Sequence, residues 1–187
     1  RCYAVTYILV GAVILLTVFM GLFGRTGIRE IKKMPRFLLW KLVYTDMYTE
    51  NKREDVTYGK ILYSEKYDIQ GKPDLIYRHR ITGDLLPVEI KSGQTDWPHN
   101  GDLLQVGAYM LIVEDIYIKA PKKAIISYKN KYFVVRNTHF LRRNVQETAE
   151  RMRQMLITGE EKANPSFANC RSCVCDQTVC EYSYNNE

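Results

Sequence analysis

The chain has 187 residues, 46% hydrophobic and 26% charged, a composition that allows a packed core of ordinary domain size and excludes an intrinsically disordered chain. Its formal net charge of +6 suits a polyanionic partner, because neutralised phosphates release counterions, although many equally basic proteins bind no nucleic acid. Four of the five cysteines lie between positions 170 and 180, which is typical of a metal site and not of disulfides spread through a fold.

The N-terminal region contains an uncharged apolar run, residues 3–23. As a helix rising about 1.5 Å per residue, this run would span the roughly 30 Å hydrocarbon core of a bilayer. One basic residue, Arg1, precedes it, and several follow it: Arg25, Arg29, Lys32, Lys33 and Arg36. We therefore predict a single-pass membrane protein with an anchor over residues 1–25 and the remainder in the cytoplasm. A cleaved signal peptide and a buried core helix stay open, but the length of the run and the lack of an Ala-x-Ala site favour the anchor.

The region after the anchor predicts a helix followed by three strands. Residues 35–48 carry apolar side chains at helical spacing, namely Phe37, Leu38, Leu39, Leu42, Val43 and Met47. Residues 60–67, 72–77 and 85–91 favour strands, with a turn at residues 82–84 before the third.

The rest of the chain predicts helices and strands in alternation. A polar loop (93–101) leads into an apolar helix (102–117), two strands (123–128 and 132–137) and an amphipathic helix (140–156) that ends near Gly159. The order β-β-β-α-β-β-α indicates an α/β fold with a mixed sheet flanked by helices.

Three charged side chains converge on the second and third of these strands. Side chains of a strand alternate between faces, so Glu89 and Lys91 project from the same side of the sheet. A hairpin centred between Thr82 and Gly83 would set Asp74 opposite Lys91 and Ile76 opposite Glu89. In that register Asp74, Glu89 and Lys91 share one face, with the two carboxylates within reach of one ion.

This face has the donor set of a divalent-cation site for phosphodiester hydrolysis. Asp74, Glu89 and the carbonyl of Ile90 offer the oxygen ligands that Mg²⁺ or Mn²⁺ prefers. Lys91 beside them can orient a water and stabilise developing negative charge. The following helix carries three polar side chains at spacings of three and four: Asp102, Gln105 and Tyr109. The alternative is a solvated Glu89–Lys91 ion pair with Asp74 in a turn.

The same residues resemble the core of a known enzyme group. Gly71-x-Pro73-Asp74, then Pro-Val-Glu-Ile-Lys-Ser-Gly over residues 87–93, then Gln105-x-x-x-Tyr109 are similar to the motifs of RecB-like PD-(D/E)xK nucleases, and within these to the CRISPR-associated exonuclease family Cas-four. The resemblance covers about residues 57–183.

The resemblance implies a restriction-endonuclease-like nuclease domain over residues 26–162 and a metal-dependent exonuclease acting on single-stranded DNA ends. The catalytic residues it implies are Asp74, Glu89, Lys91, Gln105 and Tyr109. CRISPR adaptation proteins would be partners if the enzyme serves spacer acquisition. Two alternatives stay open: a RecB-like nuclease of DNA repair or phage defence, and a non-catalytic, membrane-tethered DNA-binding protein. Family members commonly have an upstream histidine ligand, whereas the first histidine here is His79, and Glu54 or Asp55 are candidate replacements.

The C-terminal segment, residues 163–187, is expected to form a cysteine-cluster lobe. In Cas-four proteins three C-terminal cysteines and one N-terminal cysteine hold a 4Fe-4S cluster, and Cys170-x2-Cys173-x6-Cys180 resembles that trio. The fourth cysteine, expected around residues 30–45, is absent, and Cys2 would lie across the membrane. Cys175 is therefore the candidate fourth ligand. Zn²⁺ is the alternative to the Fe–S cluster, because thiolates suit both.

Overall fold

The computed structural model describes residues 27–34, 37–159, 166–171, 173 and 180–182. The chain divides into two compact units, Arg1–Glu147 and Thr148–Glu187. The predicted anchor, residues 3–23, lies outside the described residues and stays a prediction. Among the residues that are described, no helix is long and apolar enough to cross a membrane.

The first unit contains the strands and most of the helical structure. Its described strands are β1 (Ile28–Ile31), β2 (Trp40–Thr45), β3 (Thr57–Tyr58), β4 (Leu62–Ser64), β5 (Ile69–Gly71), β6 (Leu75–His79), β7 (Leu85–Ile90), β8 (Lys123–Ser127) and β9 (Tyr132–Arg136). A 3-10 turn, Phe37–Leu39, precedes β2. The helices are α1 (Asn100–Tyr117) and α2 (His139–Thr158), which continues into the second unit, where α3 (Phe167–Cys170) follows.

One mixed sheet organises the first unit. Its strand order is β1-β9-β8-β7-β6-β2-β3, and β4 pairs with β5 in a separate hairpin. Strands β7 and β8 are parallel, as are β2 and β3, and the other neighbours are antiparallel. Helix α1 connects β7 to β8, as a parallel pair requires a crossover. A large mixed sheet flanked by helices confirms the predicted α/β class.

The core lies on both faces of β7. Residues 85–89 of this strand are all buried, as expected for a central strand covered on two sides. On one face Leu86 and Val88 pack with Ile125. The other face is covered by α1, which buries a continuous run at residues 109–113. Strand β7 is therefore buried as far as Glu89, and its last residue, Ile90, is exposed.

The strand directions define two opposite ends of the sheet. Strand β6 runs toward the turn at residues 80–84, and β7 runs back from it. We call the end that holds this turn the turn end and the opposite one the Glu89 end. Because β8 is parallel to β7 and antiparallel to β9, the starts of β8 and β1 and the end of β9 all lie at the turn end.

The helix predicted over residues 35–48 is wrong, because these residues form the 3-10 turn and strand β2. Trp40 pairs with His79 and Thr45 with Leu75 in the sheet. The apolar residues that matched the helical period include Leu38, Leu39 and Met47, which are exposed. The run from Trp40 to Thr45 is rich in aromatic and β-branched residues, which pack well on a pleated surface. Strands β1, β3 and β5 were not predicted either.

The hairpin register also differs from the prediction, by two residues. Ile76 lies opposite Pro87 and Leu75 opposite Val88, so one further step sets Asp74 opposite Glu89. The loop is centred earlier than predicted because Gly83, at φ +68°, occupies the last loop position, and the His79 N–H donates to the Asp84 carbonyl at 2.8 Å. Since side chains alternate with period two, the shift leaves every side chain on its predicted face.

The contact between α1 and α2 yields a prediction about Gly107. A Cβ at this position would lie 2.7 Å from Cγ2 of Val145, whereas a Cβ at Gly101, in the same helix, would meet nothing within 4 Å. Alanine favours a helix over glycine by about 1 kcal/mol, but overpacking costs about 1–3 kcal/mol. We expect Gly107→Ala to lower the free energy of unfolding and Gly101→Ala to leave it unchanged or raise it, as measured by urea denaturation. Val145→Ala should relieve the Gly107→Ala defect, and equal effects of both alanines would contradict this packing.

Candidate functional site

The β6–β7 hairpin brings two predicted carboxylates together at the Glu89 end. Asp74 immediately precedes β6, and its Oδ2 accepts a hydrogen bond of 2.6 Å from the backbone N–H of Ile90. Glu89, one residue before the end of β7, is only 6% exposed and faces α1. The hairpin register and the Ile90 bond thus fix Asp74 beside Glu89.

The first turns of α1 supply the side chains that hold Glu89. The Gln105 amide Nε2 donates to Glu89 Oε1 at 2.8 Å and to the Tyr109 hydroxyl at 2.8 Å. Tyr109 in turn donates to the backbone carbonyl of Lys72 at 3.2 Å. The predicted residues Asp74, Glu89, Lys91, Gln105 and Tyr109 therefore form one connected group.

Gly71 of the Gly-x-Pro-Asp motif is needed for this connection. A Cβ at Gly71 would lie 2.9 Å from Cε1 of Tyr109 and 3.1 Å from Cδ1 of Ile112. Only a residue without a side chain lets β5 approach α1 closely enough for the Tyr109 hydroxyl to reach the Lys72 carbonyl.

Lys91 lies between two carboxylates and one amide. Its Nζ is 3.0 Å from Glu89 Oε1 and 3.1 Å from Asp102 Oδ1, and it donates to Gln105 Oε1 at 2.6 Å. The second oxygen of Asp102 accepts a 2.5 Å hydrogen bond from the Tyr128 hydroxyl. Sequence reasoning placed Asp102 on this helix face but missed Tyr128, which follows β8 and has no local signal.

The protonation of the group follows from its burial. Burial raises the pKa of Glu89, and the neighbouring Asp74 charge raises it further, against the opposing effect of Lys91. Burial lowers the pKa of Lys91, but its bonds to Glu89 and Asp102 outweigh this, so the net pKa is raised. Burial raises the pKa of Asp102, and the bonds from Tyr128 and Lys91 outweigh it, so that carboxyl is held below its ordinary range.

One buried oxygen has no partner in this group. Glu89 Oε2 is fully buried and accepts no hydrogen bond from the described residues. A buried carboxylate oxygen without a partner beside a second carboxylate is costly unless a proton or a cation binds there. The pair Asp74 and Glu89 fits Mg²⁺ or Mn²⁺, which commonly bind to one or two carboxylates and keep several waters. Within the described residues, no set of three or more His, Cys, Asp or Glu side chains could hold one metal ion.

Asp55, one of the two candidate replacements for the upstream histidine, has other contacts. Asp55 pairs with Lys41 at 2.8 Å and Arg53 at 2.9 Å. Asp46, which sequence reasoning missed, lies nearer: its N–H donates to the Asp74 carbonyl at 2.9 Å, and its carboxylate pairs with Lys72 at 2.5 Å. The basic residue Lys72, inside the Gly-Lys-Pro-Asp segment, was the sequence feature that could have indicated a nearby carboxylate.

The cysteine segment is described in part. Cys170 is buried at the end of α3, and the Cys173 N–H donates to the Cys170 carbonyl at 2.8 Å, forming a tight turn between them. Cys180 is partly buried, whereas Cys175 and Cys2 lie outside the described residues. The predicted four-cysteine set therefore stays a prediction.

Comparisons with known proteins add little to this geometry. No protein-family description matches the chain, and no curated protein matches it. A solved structure described as "Crystal structure of SSO0001" is similar at 16% identity, covering 94% of this chain and 70% of that chain, with a TM-score of 0.43. A likeness of this degree carries no argument about function.

The raised pKa of Glu89 predicts a pH-dependent stability difference. Ionising Glu89 costs more in the folded than in the unfolded protein, so the metal-free wild type loses stability as pH rises through the raised pKa. In Glu89→Gln, the amide oxygen can keep the bonds from Lys91 and Gln105, and the NH₂ faces Asp74. We expect Glu89→Gln to be more stable than wild type at pH 8 in EDTA, and the two to converge below about pH 4.

Thermal unfolding across pH measures this difference. The exposed Glu65→Gln is the matched control and should follow the wild type throughout. An Mn²⁺ addition that raises the melting temperature of wild type and not of Glu89→Gln would tie the same carboxylate to cation binding. Glu89→Gln that is less stable than wild type at pH 8 would contradict the electrostatic assignment.

Proposed function

We propose that the chain is a metal-dependent deoxyribonuclease of the PD-(D/E)xK type that acts on single-stranded DNA ends. The observation that carries this proposal is the unpartnered, buried Oε2 of Glu89 beside Asp74, with the Lys91 ammonium 3.0 Å from the other Glu89 oxygen. Two carboxylates and a lysine at one end of the sheet can hold a metal ion and stabilise negative charge, as phosphodiester hydrolysis requires.

The formal charges of the site support a bound cation. Asp74, Glu89 and Asp102 outnumber Lys91, so the site by itself repels a phosphodiester. A divalent cation reverses that balance where the substrate must bind. When bound by Asp74 and Glu89, Mg²⁺ or Mn²⁺ supplies a Lewis acid for a phosphate oxygen and lowers the pKa of a water. The Ile90 carbonyl remains the predicted third ligand.

The protein residues then have distinct roles. Lys91 presents positive charge to the developing phosphorane oxygens and to the attacking water. Gln105 fixes the separation of Glu89 and Lys91, because its amide contacts both side chains. Tyr109 sets the orientation of that amide, since its hydroxyl accepts from Gln105 and is anchored on the Lys72 carbonyl. These bonds hold the reacting groups in place before substrate binds, which removes reorganisation from the reaction.

The restriction-endonuclease-like assignment, the Cas-four relationship and a role in CRISPR spacer acquisition are parts of the same proposal. The mixed sheet and the site between the start of β6 and the end of β7 support the first, and the motif resemblance supports all three. The single-pass membrane location, with the nuclease domain in the cytoplasm, rests on the apolar run of residues 3–23. DNA repair or phage defence by the same chemistry is the alternative setting.

We also propose that Cys170, Cys173, Cys175 and Cys180 hold a 4Fe-4S cluster, with Zn²⁺ as the alternative. The Cys170-x2-Cys173 spacing supports a shared metal by its resemblance to cluster-binding motifs, and the Cys173 N–H donates to the Cys170 carbonyl in the turn between them.

A nuclease assay on the full chain tests the catalytic proposal. We expect wild type to degrade end-labelled single-stranded DNA with Mn²⁺ or Mg²⁺ and not in EDTA. Asp74→Asn and Lys91→Met should each lower the rate by about 100-fold or more, since each removes charge that acts on the transition state. The exposed Glu65→Gln, which lies outside the proposed site, should retain the wild-type rate. Full activity of Lys91→Met would refute the assignment, and DNA binding without cleavage under any divalent cation would favour the non-catalytic alternative.

Anaerobic purification tests the cluster. An Fe–S cluster gives an absorbance band at about 400 nm from thiolate–iron charge transfer. We expect that band in wild type and in Cys2→Ser, and its loss in Cys170→Ser and Cys175→Ser. Zinc without the band would support the alternative metal, and a band that survives Cys175→Ser would exclude Cys175 as the fourth ligand.

A further inference from the structure

Three large apolar side chains are exposed at the turn end of the sheet. Leu38 is 85% exposed, Ile81 78% and Ile118 93%. Backbone and side-chain bonds place them around one turn: the Arg80 N–H donates to the Leu39 carbonyl at 2.8 Å, and Lys119 Nζ donates to the Thr82 carbonyl at 2.6 Å. The apolar side chains therefore form a group at one end of the sheet.

Ile118 also has an unfavourable backbone conformation. It follows the last residue of α1 at φ 52° and ψ 32°, the left-handed region where glycine or asparagine is favoured and a β-branched residue is an outlier. Its side chain is nearly fully exposed, so packing within the described residues does not compensate for this conformation. A contact outside the chain is a physical reason for an isoleucine here.

Basic side chains line a recess that also includes Ile81. An open recess of about 450 Å³ at the turn is lined by residues that include Lys41, Arg78, His79 and Arg80. Arg80 forms no ion pair with any carboxylate that the structure describes, and Arg78 lies over the Tyr117 ring at 5.5 Å. The recess thus offers guanidinium groups to an anion, next to exposed apolar side chains.

The chain reaches this end of the sheet directly from the predicted anchor. The Gly27 carbonyl accepts a 2.6 Å hydrogen bond from the Arg136 N–H, which fixes residue 27 at the turn end. The apolar run ends at Phe23, four residues earlier. Four residues span at most about 14 Å, so the turn end lies within that distance of the end of the run.

We propose that the turn end lies on the surface of an anionic lipid bilayer, with Leu38, Ile81 and Ile118 in the headgroup region and lipid phosphates in the basic recess. Apolar side chains flanked by cations have the chemistry of an interfacial membrane contact. A nucleic acid would use the cations and leave the aliphatic side chains without a partner. The proposal rests on the predicted anchor and is independent of the nuclease activity.

This orientation determines which way the site faces. Strand β7 has six residues at about 3.3 Å each, so the Glu89 end lies roughly 20 Å farther from the bilayer than the turn end. Asp74, Glu89 and Lys91 would face away from the membrane, toward the aqueous phase and its nucleic acid.

Tryptophan quenching in the full chain tests the orientation. Ile118→Trp places a probe at the turn end, and Lys129→Trp places a matched probe at the exposed β8–β9 turn of the Glu89 end. Each variant is incorporated in vesicles of phosphatidylcholine with or without phosphatidylglycerol, with brominated acyl chains as the quencher and wild type as the baseline for the two native tryptophans. We expect the added fluorescence at position 118 to be quenched in anionic vesicles, and that at position 129 to be unaffected.

Salt and charge reversal test the basic recess. Raising salt from about 0.1 M to about 1 M shortens the Debye length from about 10 Å to about 3 Å. Quenching at position 118 should fall toward the level at position 129, and Arg80→Glu in the Ile118→Trp background should reproduce this loss at low salt. Lys129→Glu in the same background, an equal charge change at the other end, should retain the quenching.

Several results would overturn the proposal. Equal quenching at positions 118 and 129, or no quenching of either in protein that floats with the vesicles, would exclude this orientation. A chain that stays in solution with vesicles of both compositions would do the same. Quenching independent of phosphatidylglycerol would remove the recess from the contact. If the position-118 tryptophan is shielded from aqueous iodide without vesicles, a second copy of the chain covers this surface instead.

Discussion

The burial of the Glu89 carboxylate constrains the whole Glu89 end of the sheet. A buried charge is tolerated only with compensating partners, and each partner here must itself be satisfied. Lys91 and Gln105 bind one oxygen of Glu89, and Asp102 then balances Lys91. The other oxygen has no protein donor. The surrounding structure therefore leaves one position, beside Asp74, where a cation would complete the charge balance.

Strand β5 and helices α1 and α2 must pack closely for this arrangement, and two glycines allow the close contacts. Gly71 lets β5 approach the ring of Tyr109, and Gly107 lets α2 approach α1 on another side. Helix α1 is thereby held by close contacts on two faces, with Gln105 placed above Glu89. The parallel β7–β8 pair adds a further constraint, because Tyr128 follows β8 and reaches Asp102. The positions of the site side chains thus depend on backbone packing several residues away from them.

Sequence patterns predicted which side chains lie together more accurately than they predicted the strands and turns that carry them. The period of two along a strand fixed the faces of Asp74 and Glu89, and this result survived a two-residue error in the register, because faces repeat every second residue. The error arose from the position of Gly83 in the loop, which the turn residues did not reveal. The helix predicted over residues 35–48 failed because Leu38 and Leu39 matched the apolar period of a buried face but are exposed. The contact between Tyr128 and Asp102 depends on how the strands and helices are arranged in the fold, so no local sequence pattern predicts it.

The contacts of Lys91 would keep its ammonium charged and in place if the proposed cation binds beside it. A cation at the free oxygen of Glu89 would weaken the attraction between that carboxylate and Lys91, and a partly buried ammonium with weaker partners loses its proton more readily. Asp102 prevents this, because it lies 3.1 Å from the ammonium and is kept ionised by the Tyr128 hydroxyl. Gln105 also continues to accept from Lys91 whichever charge Glu89 carries. Lys91 is therefore held charged by Asp102 and held in place by Gln105, which leaves both carboxylates of the Asp74–Glu89 pair available to the cation.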